Sequence, residues 1–373
     1  MKGSVRKRGD KWSYYFTIGV VDGKRKIKEK GGFRTKKEAQ TALREAIADF
    51  ETKGYVTKNT DYTLNEYIEY WYETVAKTYL KQSTLELYDR TIRNHIKDEI
   101  GYIKLNSVTP VILQNFFSKK QQEDISISLI RNIKNILNNT LKLAFKQGYI
   151  KQNPMLLVEL NKRKDKKNEI RVISKDELNI IFDKVKGTKY YIPFFIALQT
   201  GMRLGEILGL TWDDIDFENK KLTINKALQF TNEKGLSLET PKTTSSHRTI
   251  LIPQSLIDEL KKWQKVQADI LQQHSISGSS SHNFICSHED GSPLNPKFTS
   301  SHVKRLSDRL GINFKFHDFR HTHATMLLEA GVNIKVIQQR LGHSDITTTL
   351  GVYSHVTSDG EQDAINLFEQ RYN

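Results

Sequence analysis

The chain has 373 residues, 37% hydrophobic and 27% charged, and its 58 Lys and Arg against 43 Asp and Glu give a formal net charge of +15. This length predicts about two or three domains, and neither a membrane-spanning run nor the apolar segment of a signal peptide is present. The single cysteine, Cys286, excludes a disulfide framework and a multi-cysteine zinc site within the chain, so we expect a soluble cytosolic protein.

The positive charge is concentrated in the first half of the chain. Residues 1–56 have a net charge of +8 and residues 57–170 of +6, whereas residues 171–373 are almost neutral at +1. Lys and Arg release counterions when they neutralise phosphates, so this asymmetry favours an N-terminal half that binds a polyanion. A basic surface that is merely solvated would give the same counts.

A three-stranded β-sheet is predicted at the N-terminus. The sequence alternates in polarity over residues 4–30, with hairpin turns at Gly9-Asp10 and Asp22-Gly23. One face of the middle strand is apolar, because side chains alternate along a strand. An amphipathic helical pattern follows the third strand, and we expect that helix to cover the apolar face.

The other face of this predicted sheet is polar and basic. The residues that we expect to contact DNA there are Arg6, Arg8, Tyr15, Thr17, Lys24, Lys26 and Lys28. The basic residues are spaced by two along their strands and can form a single face. A sheet with a basic face can enter the major groove, which makes this unit a candidate DNA reader. A solvated sheet face is the alternative.

Helical patterns and a basic linker follow. Capping boxes such as Thr63 with Glu66 begin successive helices, and the aromatic side chains among them are typical of a core. Residues 161–169 contain five basic and no apolar residues, which indicates a linker that is either solvated or laid along a DNA backbone. The remaining sequence mixes helical patterns with a few short strands.

We therefore predict a multidomain protein. An N-terminal domain of three β-strands and a helix occupies residues 1–56, and an all-α domain occupies residues 61–156. A basic linker, residues 157–169, leads to a mixed α+β, helix-rich domain at residues 170–373.

Four patches of this last domain combine residues suited to chemistry on a phosphate. They are Thr200–Ile207, Thr240–Ile250, His317–His323, and Leu341-Gly342-His343 followed ten residues later by Tyr353. Each patch alone is a weak signal, because a plain structural role can explain it.

Two such alternatives are specific. Arg203 sits in an apolar helix start, where an ion pair with Glu206 one turn later would explain it. His317 and His321 are spaced to present two nitrogens to zinc, but no HExxH arrangement accompanies them and Arg320 would lie beside the cation. We expect no metal, and a structural role for His321 and His323.

Together the patches resemble those of the tyrosine recombinase family, the phage-type integrases, over nearly the whole chain. The family signature of Arg, Lys, His-x-x-Arg, His and Tyr is matched in order by Arg203, Lys242, His317, Arg320, His343 and Tyr353. Gly351 departs from the pattern, since a bulkier or acidic residue is common there, and could loosen the segment of the tyrosine.

The resemblance implies a DNA integrase that cuts and rejoins strands through a 3′-phosphotyrosyl intermediate, without ATP or another cofactor. Tyr353 would be the nucleophile, and Arg203 and Arg320 would hold the phosphate oxygens. Glu206 would orient the first of these arginines.

Proton transfers are implied for the other signature residues. Lys242, on a mobile hairpin, would protonate the leaving 5′ oxygen. His317 would assist proton transfer from the tyrosine, and His343 would donate a hydrogen bond to the phosphate. Tyr372 is a poorer nucleophile, since it ends an amphipathic tail that is expected to pack on its own domain or on a neighbouring protomer.

The implied partners are double-stranded attachment sites, with residues 1–56 binding arm sites and residues 61–156 binding core sites. A homotetramer on DNA, an accessory directionality factor and a nucleoid location in a bacterial cytoplasm are implied as well. A type IB topoisomerase would use nearly the same catalytic residues, and an idle DNA-binding regulator would need a broken set. Two DNA-binding units favour the integrase of a phage or conjugative transposon.

Overall fold

The structure is a computed structural model that describes most of the chain. The described residues are 3–21, 24–53, 62–123, 125–160, 171–240, 247–273, 283–342 and Glu369. They belong to two compact units, residues 1–166 and 167–373. Within the described ranges, no helix combines the length and the apolar character that crossing a membrane requires.

The first unit begins with the predicted sheet and helix. Strands β1 (Gly3–Arg8), β2 (Lys11–Val21) and β3 (Lys24–Phe33) are antiparallel in the order β1-β2-β3, and α1 (Lys36–Lys53) follows. Tyr14 and Phe16 of β2 are buried with Leu43 and Ala46 of α1, in a small core of their own. The predicted three-stranded sheet covered by a helix is therefore confirmed.

The pairing of β2 with β3 corrects the predicted basic face. Tyr15 lies opposite Glu29, whereas Lys28 lies opposite the buried Phe16. Paired residues share a face, so the exposed Lys28 is on the side of the sheet that faces α1. The prediction that it shares one face with the arginines of β1 is wrong. A register shift between Thr17 and Gly19 offsets the two strands, and an offset of one residue exchanges the faces.

A helical bundle completes the first unit. Its elements are α2 (Leu64–Trp71), a π-helical turn (Tyr72–Ala76), α3 (Lys77–Tyr79), α4 (Gln82–His95), a 3-10 turn (Leu105–Ser107), α5 (Pro110–Gln122), α6 (Ile127–Lys146) and a 3-10 turn (Pro154–Leu157). The Thr63 hydroxyl and the Glu66 carboxylate form the predicted capping box. Tyr67, Trp71 and Phe116 are buried among the helices, which confirms that the aromatic side chains form the core.

The second unit is mostly helical with small sheets, as predicted. Its helices are α7 (Lys175–Val185), α8 (Tyr191–Thr200), α9 (Leu204–Leu208), α10 (Gln254–Gln273), α11 (Pro296–Leu310), α12 (Phe316–Glu329) and α13 (Ile334–Leu341). Its strands are β4 (Ile215–Asp216), β5 (Lys221–Ile224), β6 (Ala227–Thr231), β7 (Gly235–Glu239) and β8 (Arg248–Leu251). Strands β4, β5 and β8 form one sheet, and β6 pairs with β7. Helix α8 packs on α12, where the rings of Phe194 and Phe319 lie 5.1 Å apart between centroids.

Two helices of this unit end at glycines with left-handed backbone. Gly201 terminates α8 with a φ of 67°, and Gly342 terminates α13 with the same φ. Glycine adopts this conformation without the steric cost that a Cβ imposes. The carbonyls at both helix ends are thereby turned toward the arginines of the candidate site.

Candidate active site

Three of the six signature residues lie within the described part of the chain, and the structure brings them together. Arg203 is the residue before α9, whereas His317 and Arg320 lie in the first turns of α12. Lys242, His343 and Tyr353 lie outside the described residues, and their roles stay predictions.

The ion pair between Arg203 and Glu206 is present. The Glu206 carboxylate accepts two hydrogen bonds from Arg203, one from the backbone N–H at 3.0 Å and one from the side-chain Nη1 at 2.8 Å. Glu206 is buried, but the Arg203 side chain remains 39% exposed. The pairing therefore caps α9 and fixes the guanidinium while part of it still reaches the surface.

A second arginine, Arg248, binds the same carboxylate from the start of β8. Its Nη2 donates to Glu206 Oε2 at 2.9 Å and its Nη1 to Oε1 at 3.3 Å. Burial raises the pKa of Glu206, but the hydrogen bonds and charge of Arg248, with those of Arg203, outweigh it and hold that pKa below its usual range. Glu206 is therefore an anion between two cations.

Arg320 is a buried cation that donates hydrogen bonds to backbone carbonyls. It is 2% exposed, and it donates from Nη1 to Gly201 O and from Nη2 to Leu341 O, both at 2.8 Å. Carbonyls at the C-terminus of a helix lack partners within the helix and carry the negative end of its dipole. The ends of α8 and α13 thus compensate the burial of this charge.

The last turn of α13 holds three guanidiniums on successive carbonyls. The carbonyl of residue 340 accepts Arg248 Nε at 2.7 Å, that of residue 341 accepts Arg320 Nη2 at 2.8 Å, and that of residue 342 accepts Arg203 Nη2 at 3.3 Å. The three arginines come from distant parts of the sequence. The turn that precedes His343 therefore organises the cationic cluster.

His317 lies beside this cluster and is neutral at physiological pH. His317 is an exposed residue, and its ring packs edge-on against that of His321 with the ring centroids 4.8 Å apart. Desolvation by surrounding protein atoms, then the nearby His321, Arg320 and Arg203, lower the pKa of His317 to about 4. Among the described residues, no group of three or more His, Cys, Asp or Glu is placed to hold a metal ion.

His323 has a structural role, as expected from the sequence. Its Nδ1 lies 2.8 Å from Leu198 O, and Arg340 Nε donates to its Nε2 at 3.1 Å. Because Nε2 accepts, the ring must be neutral with its proton on Nδ1. Burial, followed by the charge of Arg340, lowers the pKa of His323 to about 4.

The outer face of the N-terminal sheet brings Arg6, Arg8 and Tyr15 together around Glu29. Arg6 donates from Nη2 to Glu29 Oε2 at 2.7 Å and stands over the Tyr15 ring at 5.1 Å, while Arg8 Nε lies 3.7 Å from Glu29 Oε1. Thr17 is exposed on the same face, because it follows Tyr15 by two residues. Sequence reasoning missed Glu29, which only strand pairing brings to the arginines.

The two remaining lysines of the predicted face belong to β3. Lys24 and Lys26 lie opposite Val21 and Gly19 of β2. Their side chains lie outside the described residues, so their contacts with DNA stay predictions.

Sequence reasoning also missed Arg248. It belongs to the second patch, six residues after Lys242, but it falls outside the signature that the resemblance supplied. Nothing in the sequence around Arg248 indicates a contact with Glu206, which lies 42 residues earlier.

Three family models match successive parts of the chain. They are an arm DNA-binding domain at residues 4–50, an N-terminal SAM-like domain of phage integrases at residues 63–121, and the phage integrase family at residues 171–359.

Curated relatives match the chain over most of its length. A tyrosine recombinase XerC-like protein of Caldanaerobacter subterraneus subsp. tengcongensis is 30% identical, with 95% of each chain covered. The ICEBs1 integrase of Bacillus subtilis is 27% identical over 71% of this chain and 72% of its own.

Solved structures have the same fold. A fragment of the Tn1549 transposon integrase, residues 82–397 with one arginine replaced by lysine, in complex with a circular intermediate DNA has a TM-score of 0.69 and 23% identity, over 82% of this chain and 99% of the fragment. A lambda integrase tetramer bound to a Holliday junction has a TM-score of 0.59 and 19% identity, over 93% of this chain and 94% of its own.

Proposed function

The chain belongs to the phage integrase family and is a tyrosine-type site-specific DNA recombinase, and we propose that it integrates or excises a mobile element through a 3′-phosphotyrosyl intermediate. The observation that carries this proposal is the convergence of Arg203 and Arg320 on neighbouring carbonyls of the turn before His343. Two guanidiniums fixed side by side suit the non-bridging oxygens of one phosphodiester, which acquire charge in the transition state.

Cleavage begins with attack of the Tyr353 Oη on the scissile phosphorus. The new bond links the tyrosine to the 3′ phosphate, and the bond from phosphorus to the 5′ oxygen breaks. The phenol proton passes to His317, and the leaving 5′ oxygen takes a proton from Lys242. Attack by the 5′ hydroxyl of another strand reverses these steps, so the bond energy is conserved and no ATP is consumed.

The electrostatics of His317 support its part in this scheme. A ring with a pKa of about 4 is unprotonated near pH 7 and can accept the phenol proton. The cations that lower the pKa of His317 are the same ones that would hold the phosphate.

We propose further that the N-terminal half of the chain binds DNA. The arm-domain match and the exposed Arg6 and Arg8 support binding of residues 1–56 to arm sites, and the SAM-like match supports binding of residues 61–156 to core sites. Two addresses on DNA favour recombination over the relaxation of supercoils by a type IB topoisomerase.

We extend the proposal to assembly and control. The lambda integrase tetramer on a Holliday junction supports a homotetramer that exchanges strands between two duplexes. Integrases of mobile elements act in two directions, so an accessory directionality factor and a location at the nucleoid of a bacterial host belong to the same proposal.

The proposal is tested with a nicked core-site duplex, which traps the covalent intermediate because the short strand diffuses away. We expect an adduct with wild type and with the control Tyr372→Phe, and none with Tyr353→Phe, which should still bind the duplex. The wild-type adduct should form equally in EDTA, because no step uses a metal. An adduct that survives in Tyr353→Phe would refute the assignment.

A further inference from the structure

Arg248 is a buried residue of the second unit that contacts the candidate site and has no assigned role. It is 9% exposed and joins the Glu206 carboxylate to the carbonyl of Arg340. We propose that Arg248 is a positioning residue of strand cleavage, which acts through Glu206 to keep Arg203 oriented and to leave the positive charge of Arg203 uncompensated for the phosphate. This inference rests on the recombinase function proposed above.

The geometry of its three hydrogen bonds suits Arg248 to this role. Both Nη atoms of Arg248 face the two oxygens of Glu206, and its Nε faces the last turn of α13. A planar guanidinium offers N–H groups in these directions at once, whereas a lysine ammonium is a single point charge on a flexible stem. The site therefore calls for arginine at position 248.

The charge of Glu206 is shared between two arginines, and this balance also favours the proposed role. The carboxylate is 4% exposed, so its charge must be compensated by protein groups. If Arg203 were its sole cationic partner, that ion pair would cancel the charge meant for a phosphate. Arg248 is the more buried partner, at 7% side-chain exposure against 39% for Arg203. It can neutralise Glu206 and leave the exposed guanidinium as the net cation.

Arg248 also helps to fix the end of α13. Arg248 and Arg203 hold carbonyls two residues apart in the turn that precedes His343. Loss of Arg248 would free one of these anchors as well as half of the Glu206 hydrogen bonds. Both changes move Arg203, and a displacement of about 1 Å can cost on the order of 100-fold in rate.

The test compares a scissile phosphodiester with a methylphosphonate, in which a methyl group replaces one charged oxygen. We measure single-turnover adduct formation with saturating full-length protein on a core-site duplex. Arg248→Gln should slow cleavage of the phosphodiester by on the order of 100-fold, with the Kd for the duplex nearly unchanged. Its defect should shrink at least about tenfold on the methylphosphonate diastereomer that also rescues Arg203→Ala, because there the oxygen needing a cation is gone.

Two further variants separate positioning from stability. Arg248→Lys keeps the charge without the fork and should show the same pattern with a smaller defect. Arg171→Gln is the control, because Arg171 also binds the capping-box carboxylate of a helix, Glu177, and a distant carbonyl, that of Asn313, rather than Glu206 and the end of α13. It should cleave both substrates at wild-type rates.

Several results would overturn the inference. Equal slowing on the phosphodiester and on both methylphosphonate diastereomers would assign Arg248 a purely structural role, as would loss of folding in both Arg248 variants while Arg171→Gln folds. Wild-type rates in the Arg248 variants would refute it while leaving the proposed function intact. Absence of a Tyr353-dependent adduct in wild type would instead refute the proposed function.

Discussion

We expect the buried side chain of His323 to make the second unit less stable in acid. Both ring nitrogens are committed, one to Leu198 O and the other to Arg340 Nε. Protonation would remove the second bond and place two cations in contact. The neutral ring is therefore part of the packing between α12 and α13.

The pKa of His323 sets the pH range of this effect. At pH values above the ordinary 6.5 the ring is neutral in both folded and unfolded chains and contributes nothing. As the pH falls, the unfolded chain binds a proton that the folded chain, with its pKa of about 4, refuses. We expect this residue to cost on the order of 3 kcal/mol of unfolding free energy by pH 4.

Urea unfolding between pH 7 and pH 4 measures this loss. His323→Gln keeps a polar side chain that does not titrate, so its stability should decline less steeply over the same range. Parallel declines in the two proteins would show that other groups cause the acid sensitivity.

Individual residues were predictable from the sequence where a motif marks them. Arg203, Glu206, His317 and Arg320 occur in local patterns, and the structure brings them together. Arg248 and Glu29 act through partners that are distant in the sequence, and neither helical nor strand periodicity encodes which distant side chains meet. The pairing of β2 with β3 is what brings Glu29 to the arginines of β1.

At the scale of elements, the site depends on where helices end. Gly201 closes α8, and an added Cβ would lie 2.6 Å from Leu341 Cδ2 and 2.7 Å from His323 Cδ2. The carbonyls of Gly201 and Leu341 both hold Arg320. Displacing the end of α13 should therefore disturb the cationic cluster along with the packing.

Gly201→Ala should lower the unfolding free energy by about 3 kcal/mol, from left-handed strain plus overpacking, and should slow adduct formation. Gly311→Ala is the matched control, because Gly311 closes α11 at a φ of 65° but has no atom within 4 Å of an added Cβ. It should cost only about 1 kcal/mol and leave cleavage unchanged. Similar losses of unfolding free energy in both variants would show that backbone strain alone causes the effect and that the close approach of α13 contributes nothing.

The elements themselves followed from periodicity and capping signals. The sheet, the helices of the first unit and the capping box at Thr63 all occur as their patterns indicate. The register between β2 and β3 did not, because spacing by two fixes faces within one strand only. The shift near Thr17 then placed Lys28 on the face toward α1.

At the scale of the whole molecule, charge and chemistry are divided along the chain. The net charge of +14 in residues 1–170 accompanies the matched arm DNA-binding domain and the matched SAM-like domain, while the almost neutral remainder places its cations at particular positions. The order of the three parts was predictable from composition and motifs. Their boundaries remain predictions.

This division predicts separable losses. Deleting residues 1–56 removes a sheet and helix with a core of their own and a net charge of +8. Integration should fall much more than cleavage of an isolated core site, and the salt dependence of binding to the full attachment site should become shallower, because fewer phosphates are neutralised. Equal losses of integration and core-site cleavage would contradict an arm-binding role.

The central claim is that Tyr353 becomes covalently linked to a 3′ phosphate of DNA. Mass spectrometry of the trapped wild-type adduct, after digestion of the protein and the DNA, tests it most directly. We expect a peptide that contains Tyr353 and carries a nucleotide through its 3′ phosphate. A nucleotide on Tyr372 or on any other residue, or one attached through a 5′ phosphate, would contradict it.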